Sequence, residues 1–399
     1  MKAEEDPDED LKKEHRLEPH AKKRLLYLNL SIFTVALSIS LWTPLLPVYA
    51  QKLGATYLDI GVIGAAGGAP YMILPFIVGS LSDRYGRKRF YYTGLALTAA
   101  TSALFTLTNN VQQVILVRAF SGIAYSFIWP SAEALISDLT TLTERTRSLG
   151  YFTFSWALGM LAAPPIGGRI VQTASFTILF STSLLVSIAA TIFAVYGLKT
   201  VRETKIQGDL SRSRSNSMTI LLPVFLAAVA LSAALAVVFN ILPAYLNNLG
   251  IDPFQIGVIF AALGLTRAIT FSQTSYTTRI GENLSMIIGL LILAVSLFAT
   301  STTRMFTEII IVVVFLGVGM GILGPLSISV TSKMATKEKT GAAIGATECF
   351  FGLGWALGPL MGGAVAETLD PTAPYIITAI AALACVIPLA RTMTRKSTI

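Results

Sequence analysis

Four ionisable side chains sit inside long apolar runs of this sequence: Arg118, Glu133, Arg267 and Glu348. A charge at membrane depth is costly unless it meets a partner or a cavity, so each is a candidate for chemistry. A carboxylate there can accept and release a proton, and without a close cation its pKa is raised. Other chemistry is scarce. His15 and His20 lie in a polar N-terminal stretch, and Cys349 and Cys385 lie in apolar segments. These residues form no metal-ligand cluster, disulfide framework or nucleophile–base constellation. No G-x-x-x-x-G-K-[ST] run occurs, which argues against ATP-driven pumping by this chain alone. The expectation is a protein that is not an enzyme and uses neither metal nor cofactor.

The elements that hold these residues follow from composition. Of 399 residues 53% are hydrophobic and 13% are charged, about half the charged share of a soluble domain. Such a chain cannot cover a soluble fold with polar surface. Disorder, collagen, a coiled coil and a nucleic-acid partner are excluded on the same ground, because the net charge of +8 is distributed between apolar runs. Twelve runs are long enough to span a bilayer. They fall near 25–50, 58–82, 90–108, 112–137, 147–171, 176–198, 219–247, 254–278, 284–303, 306–332, 341–366 and 373–393. The expected fold is an all-α membrane protein of two six-helix halves, 25–198 and 219–399, joined by a serine- and arginine-rich cytoplasmic linker, 199–218. Residues 1–24 open on acidic residues, unlike a signal peptide, and read as a solvated, disordered cytoplasmic tail. With both termini inside, 25 of the 30 lysines and arginines fall on the cytoplasmic side and three on the other. That asymmetry sets the orientation of a multi-pass cell-membrane protein.

The halves repeat. Leu46-Pro47-Val48-Tyr49 matches Leu242-Pro243-Ala244-Tyr245, and Ile60-Gly61-Val62-Ile63 matches Ile256-Gly257-Val258-Ile259, both offset by 196. Beyond one deletion the offset is 195, which places Arg84 on Arg279, Gly86 on Gly281, Pro130 on Pro325 and Gly150 on Gly345. Recurring glycines and prolines repeat backbone geometry. Six spans per half give the halves one topology, related by an axis along the membrane normal.

Between spans 2 and 3 the chain reads Gly79-Ser80-Leu81-Ser82-Asp83-Arg84-Tyr85-Gly86-Arg87-Lys88-Arg89. Asp83 can pair with Arg87 or sit at a facing helix N-terminus, where the macrodipole favours an anion. This stretch fits G-x-L-x-D-R-x-G-R-[RK]-x at every fixed position, and here the sequence resembles the major facilitator superfamily. The resemblance covers all but the first ~20 residues. It implies a midplane cavity lined by spans 1, 4, 7 and 10, and alternating access by rocking of the halves. It also implies a cytoplasmic gate motif of Gly79, Asp83, Arg84, Gly86, Arg87 and Lys88, with Asp83 latching onto the start of span 11 near Gly341.

In span 5, Gly150, Gly159, Pro164, Gly167 and Gly168 follow G-x8-G-x3-G-P-x2-G-G, with Ala163 in place of the third glycine. This resembles the span-5 motif of drug:proton antiporters in that superfamily. Span 11 carries the complete pattern: Gly345, Gly354, Gly358, Pro359, Gly362 and Gly363. Small residues let helices approach closely and proline bends them. Arg118, in Leu116-Val117-Arg118-Ala119-Phe120-Ser121-Gly122, resembles the span-4 arginine motif tied to proton transfer, although Ser121 stands where the family often has Gln.

Arg118, Gly122, Tyr125, Trp129 and Glu133 share one helical face, with Arg118 and Glu133 about 22 Å apart, too far for an ion pair. Glu348 and Arg267 lie at similar depths, so a buried pair and a free proton-carrying carboxylate are both open. Proton coupling is assigned to Arg118, Glu348, Glu133 and Arg267. Trp42, Tyr125, Trp129, Asn240 and Trp355 are assigned to the substrate cavity. Span 1 has no carboxylate after Arg24, which weakens a cation-specific reading. The expected function is proton-coupled efflux of a small amphipathic organic compound by a monomer in the lipid bilayer. The alternative is a proton-coupled importer or facilitator of a sugar, organic acid or other metabolite.

Overall fold

The computed structural model describes residues 19–199, 218–273, 278–334 and 340–396. Residues 1–18 of the expected tail and 200–217 of the expected linker lie outside the described residues. Regular structure in the described residues is helical throughout. The helices are α1 (Pro19–Trp42), α2 (Leu46–Lys52), α3 (Tyr57–Tyr85), α4 (Arg87–Thr106), α5 (Val111–Leu139), α6 (Leu142–Thr173) and α7 (Phe176–Leu198). They continue as α8 (Met218–Asn240), α9 (Leu242–Asn248), α10 (Pro253–Ser272), α11 (Glu282–Thr302), α12 (Phe306–Met334), α13 (Thr340–Thr368) and α14 (Ala373–Lys396). α1 starts inside the stretch expected to be tail, because Pro19 suits a first helical turn. Ten of the long helices are apolar enough to cross a membrane. α4, which opens Arg87-Lys88-Arg89, and α6, which holds Glu144, Arg145, Arg147 and Arg169, fall short of that composition.

The helix ends are fixed by local chemistry. Thr56 and Asp59 form a capping box that starts α3, and Asp252 and Gln255 form another that starts α10. Gly86, at φ 108°, ends α3 and lets α4 begin one residue later; Gly281, at φ 98°, precedes α11. Both capping boxes and both glycines fall at the sequence offsets of 196 and 195.

α1 packs on α6 and α7, α5 on α3 and α4, and α4 on α7. α8 packs on α13 and α14, α12 on α10 and α11, and α11 on α14. Two seams join these groups, α3 against α13 and α6 against α10. Inside the first group the glue is partly polar. The Ser38 hydroxyl lies 2.8 Å from Ser183 Oγ and 2.6 Å from Ser187 Oγ, and Ser102 Oγ lies 2.9 Å from Ser183 Oγ. This links α1, α4 and α7 where all four serines are buried. Interhelical hydrogen bonds of this kind contribute about 0.6 kcal/mol each in membranes. Ser183→Ala removes its bonds to Ser38 and Ser102, so we expect a loss of about 1 kcal/mol, read as a lower thermal midpoint in detergent. An unchanged midpoint would show the cluster to be energetically silent.

Candidate functional site

The seams are built from glycine. Along α3, Gly61, Gly64, Gly68 and Met72 form one row, and along α13 Gly363, Pro359, Trp355 and Gly352 form the facing row. A Cβ on Gly61 would meet the Pro359 carbonyl oxygen at 2.5 Å, and one on Gly352 would meet Met72 Cα at 3.0 Å. Between α6 and α10, a Cβ on Gly168 would collide with the Pro253 carbonyl and one on Gly257 with the Pro164 carbonyl. Of the helix-bend residues, Gly159 and Gly167 instead face α1, and Gly354 and Gly358 face α8. Gly362 lies near Val237 and Ile241.

The close contact does not continue along the whole row. On α3 the next positions are Phe76, which is 73% exposed, and Gly79, where an added Cβ would meet no described residue within 4 Å. On α13 the next position is Glu348, which is exposed. On the α6–α10 side, a Cβ added at Gly150 or Gly264 would likewise meet no described residue within 4 Å. The two groups of helices therefore meet at one end of the bundle and part at the other, the end that carries Asp83.

A polar lock closes the joined end. The Gln51 amide donates to Asn248 Oδ1 (3.0 Å) and to the Ala244 carbonyl (3.2 Å), and accepts from Asn247 Nδ2 (2.9 Å). Asn248 Nδ2 donates to the Tyr57 hydroxyl at 2.9 Å, and the Tyr57 amide donates to Glu367 at 2.9 Å. Sequence reasoning missed this lock. Gln51 and Asn247 stand at the repeat offset of 196, the one signal that pointed to it.

At the parted end Arg87 holds two carboxylates. It bonds Asp83 at 2.7 Å and Asp138 of α5 at 2.5 Å, and also donates to the Ala134 carbonyl at 3.1 Å. The expected Asp83–Arg87 pair thus forms, and Asp138, which no motif flagged, completes it. Among the described residues no bond joins Asp83 to the start of α13. Lys88 reaches the Lys199 carbonyl at 3.3 Å, and Arg84 lies 5.4 Å from the Tyr85 ring centre. Arg87→Ala leaves two carboxylates facing each other, and Arg87→Lys cannot span all three acceptors. With solvent screening of the half-exposed Asp83, we expect about tenfold slower transport for Arg87→Ala and partial recovery for Arg87→Lys. Equal transport by all three proteins at matched expression would refute this.

Arg118 is 6% exposed and is enclosed by its own group of helices. Its guanidinium lies 5.5 Å from the Trp42 ring centre and 5.9 Å from that of Tyr125, and donates to Ser121 Oγ at 3.1 Å. A Cβ on Gly67 would come within 2.6 Å of Arg118 Nε, which makes that glycine a requirement of the nest. Nε has no hydrogen-bond partner, and no carboxylate of the described residues pairs with Arg118. Trp42 is 1% exposed and packs on Phe105, with ring centres 4.9 Å apart, so it sits in the core of the first group. Trp129 stacks edge-on against Phe152 and Trp156. Asn240 is 6% exposed, donates to the Ala236 carbonyl and faces Gly64 across the α3–α13 side.

Glu133 of α5 and Glu348 of α13 lie close enough for their charges to act on each other, and Tyr71 of α3 lies within range of both. Neither carboxylate is paired with a cation among the described residues. The Glu348–Arg267 pair left open by the sequence does not form. The described residues contain no group of three or more potential metal ligands.

The model of the Major Facilitator Superfamily matches residues 28–274 and again 224–398. The chain belongs to this superfamily. It is a transporter of small molecules, not an enzyme. It is 26% identical to Multidrug resistance protein 1 of Bacillus subtilis (strain 168) over 361 residues, 88% of this chain and 91% of that one. It is 24% identical to Quinolone resistance protein NorA of Staphylococcus aureus (strain MSSA476) over 360 residues, 86% of this chain and 90% of that one. Among solved structures, a mutant of the peptide transporter POT superposes with a TM-score of 0.82 at 16% identity, over 93% of this chain and 94% of that one. A bacterial homolog of the human lysosomal transporter Spinster, in an inward-facing conformation, superposes at 0.73 and 14% identity, over 94% and 95%. These solved structures share the fold of this chain.

Proposed function

We propose that this chain is a proton-coupled exporter of small amphipathic organic compounds in the cell membrane. It works as a monomer by alternating access, with twelve spans in two parallel six-helix repeats. α4 and α6 count as spans because they are buried between, or packed along, the ten more apolar helices. The recurring caps and positive-φ glycines support the repeat. The lysine and arginine asymmetry supports a cytoplasmic Asp83 end, and with that orientation the arrangement described here is open to the inside and shut outside by the Gln51 lock.

The observation that carries this reading is the placement of Glu348 at the point where the α3–α13 seam ends, with Glu133 of the other group in range. When the inner end closes, the two carboxylates are driven together, and a proton on one relieves their repulsion. Arg118 then acts within the first group, as a fixed positive charge beside the path. The multidrug-resistance relatives favour export of amphipathic compounds, and the aromatic side chains along the seam suit such cargo.

The test is reconstitution into liposomes with an acidic lumen and an internal pH-sensitive dye, adding lipophilic cations, neutral drugs, sugars and organic acids one at a time. Lumen alkalinisation with the amphipathic compounds is the expected result. Alkalinisation with none, alongside uptake of a sugar or organic acid, would replace export with import or facilitation.

A further inference from the structure

Arg267 is the one charged group at depth for which the export reading has no use once its pairing with Glu348 is gone. It lies on α10 in register with Ile256, Phe260 and Leu263, all buried, while Leu265 and Ile269 on the opposite face are 44% and 54% exposed. The side chain therefore points into the bundle and away from lipid. Among the described residues it makes no ion pair and no hydrogen bond. Phe260 packs on Phe239 of α8 with ring centres 5.2 Å apart, and Phe239 lies 6.2 Å from Trp355 of α13. These three rings form an aromatic cluster bridging α8, α10 and α13. Arg267 lies seven residues from Phe260 toward the Asp83 end, and Glu348 lies seven residues from Trp355 in the same direction. At helical rise, both charges sit about 10 Å from the cluster. One is cationic and the other anionic, and among the described residues neither has a partner of opposite sign.

A guanidinium inside a membrane protein is held at a high cost in desolvation, which an anionic ligand group can offset through two parallel hydrogen bonds. A carboxylate at similar depth on α13, which is separated from α10 by α8 and α12, complements a cationic group, and the rings above both suit an apolar body. We propose that Arg267 is a substrate-binding residue that takes the anionic group, a carboxylate or sulfonate, of a zwitterionic amphiphile. The cationic end of that amphiphile faces Glu348 and Glu133, and its ring system packs against Phe239, Phe260 and Trp355. This rests on the export reading and narrows its substrate class. It also accounts for a cavity that has no carboxylate on α1 to favour simple cations.

The probes are rhodamine B, a zwitterion at neutral pH, and its ethyl ester, a cation with the same ring system. Binding of each to the purified full chain is measured by fluorescence anisotropy, and dye-driven proton flux is measured in liposomes. The expected result is that Arg267→Gln weakens binding of the acid about tenfold or more and leaves the ester within about twofold. Arg267→Lys should keep part of the acid affinity. Retained ester binding shows at the same time that the variant is folded. If Arg267→Gln does not fold, excess benzenesulfonate on the unaltered protein decides, since it must displace the acid and spare the ester. Equal weakening of both dyes, or an unaltered protein that binds the ester far more tightly than the acid, would overturn the inference. Ester-driven proton flux alongside either result leaves the export reading standing. If neither dye binds or moves protons, both fall.

Discussion

Gly168→Val should slow transport at least about tenfold while leaving the protein folded. The Cβ of any residue there would collide with the Pro253 carbonyl oxygen and come within 2.7 Å of Phe254 Cα. Across the same seam, a Cβ on Gly257 would lie 2.8 Å from Pro165 Cα. Both obstacles are main chain, so no side chain can rotate aside. Overpacking of this kind costs about 1–3 kcal/mol or more, and the states of a transporter differ by only a few kcal/mol. The closed arrangement at the Gln51 end should therefore become at least about tenfold rarer, and turnover should fall with it. Each group of helices keeps its own packing, so expression and melting should change little. The matched control is Gly150→Ala in the same motif and helix, where the added Cβ meets no described residue within 4 Å and transport should stay near normal. A cysteine at position 51, in a background lacking Cys349 and Cys385, reports the closure: an impermeant maleimide should label it faster in Gly168→Val. Normal turnover in Gly168→Val would show that this seam does not open and close.

The second large effect belongs to Glu133 and Glu348 together. Glutamine preserves their size and hydrogen bonding but removes both charges. Two carboxylates brought to contact at an effective dielectric near 20 repel by about 3–4 kcal/mol. Removing that repulsion should favour closure of the Asp83 end by about a hundredfold or more. It also removes the sites that carry protons. The doubly substituted protein should lose gradient-driven accumulation by about a hundredfold while still exchanging substrate down its own gradient. Each single variant should fall between. Undiminished accumulation in the double variant would move coupling to other residues.

Much of the architecture could be read from the residue order, because its signals are local. The apolar runs and the motif glycines such as Gly86 each depend on a few neighbouring residues, and the fixed offset carries those local signals from one half to the other. The glycine rows at Gly168 and Gly363 were legible as close-packing sites for the same reason. What they pack against was not legible. Asp138 joins Arg87 from 51 residues away, and Ser38 meets Ser183 from 145 residues away; neither distance leaves a periodic trace. Trp42 shows the other limit. In a bundle of many helices an inward-facing aromatic can face either the core or the space between the halves, and the sequence pattern is the same for both. The depth match of Arg267 and Glu348 suggested a pair by the same kind of one-dimensional reasoning. They lie on different helices, and helix rotation, which depth does not specify, keeps them apart.

The glycine seams have a consequence for how such a protein changes over generations. Where two surfaces touch through carbonyl oxygens and α-carbons, the joint has almost no dependence on which side chains surround it. Mutation can then rewrite the lining of the interior, and with it the choice of cargo, without disturbing the bearing on which the halves turn. The few glycines at Gly61, Gly68, Gly168, Gly257 and Gly363 would be the inherited mechanical part. The positions around Arg267, Glu348 and the three aromatic rings would be the part free to diversify.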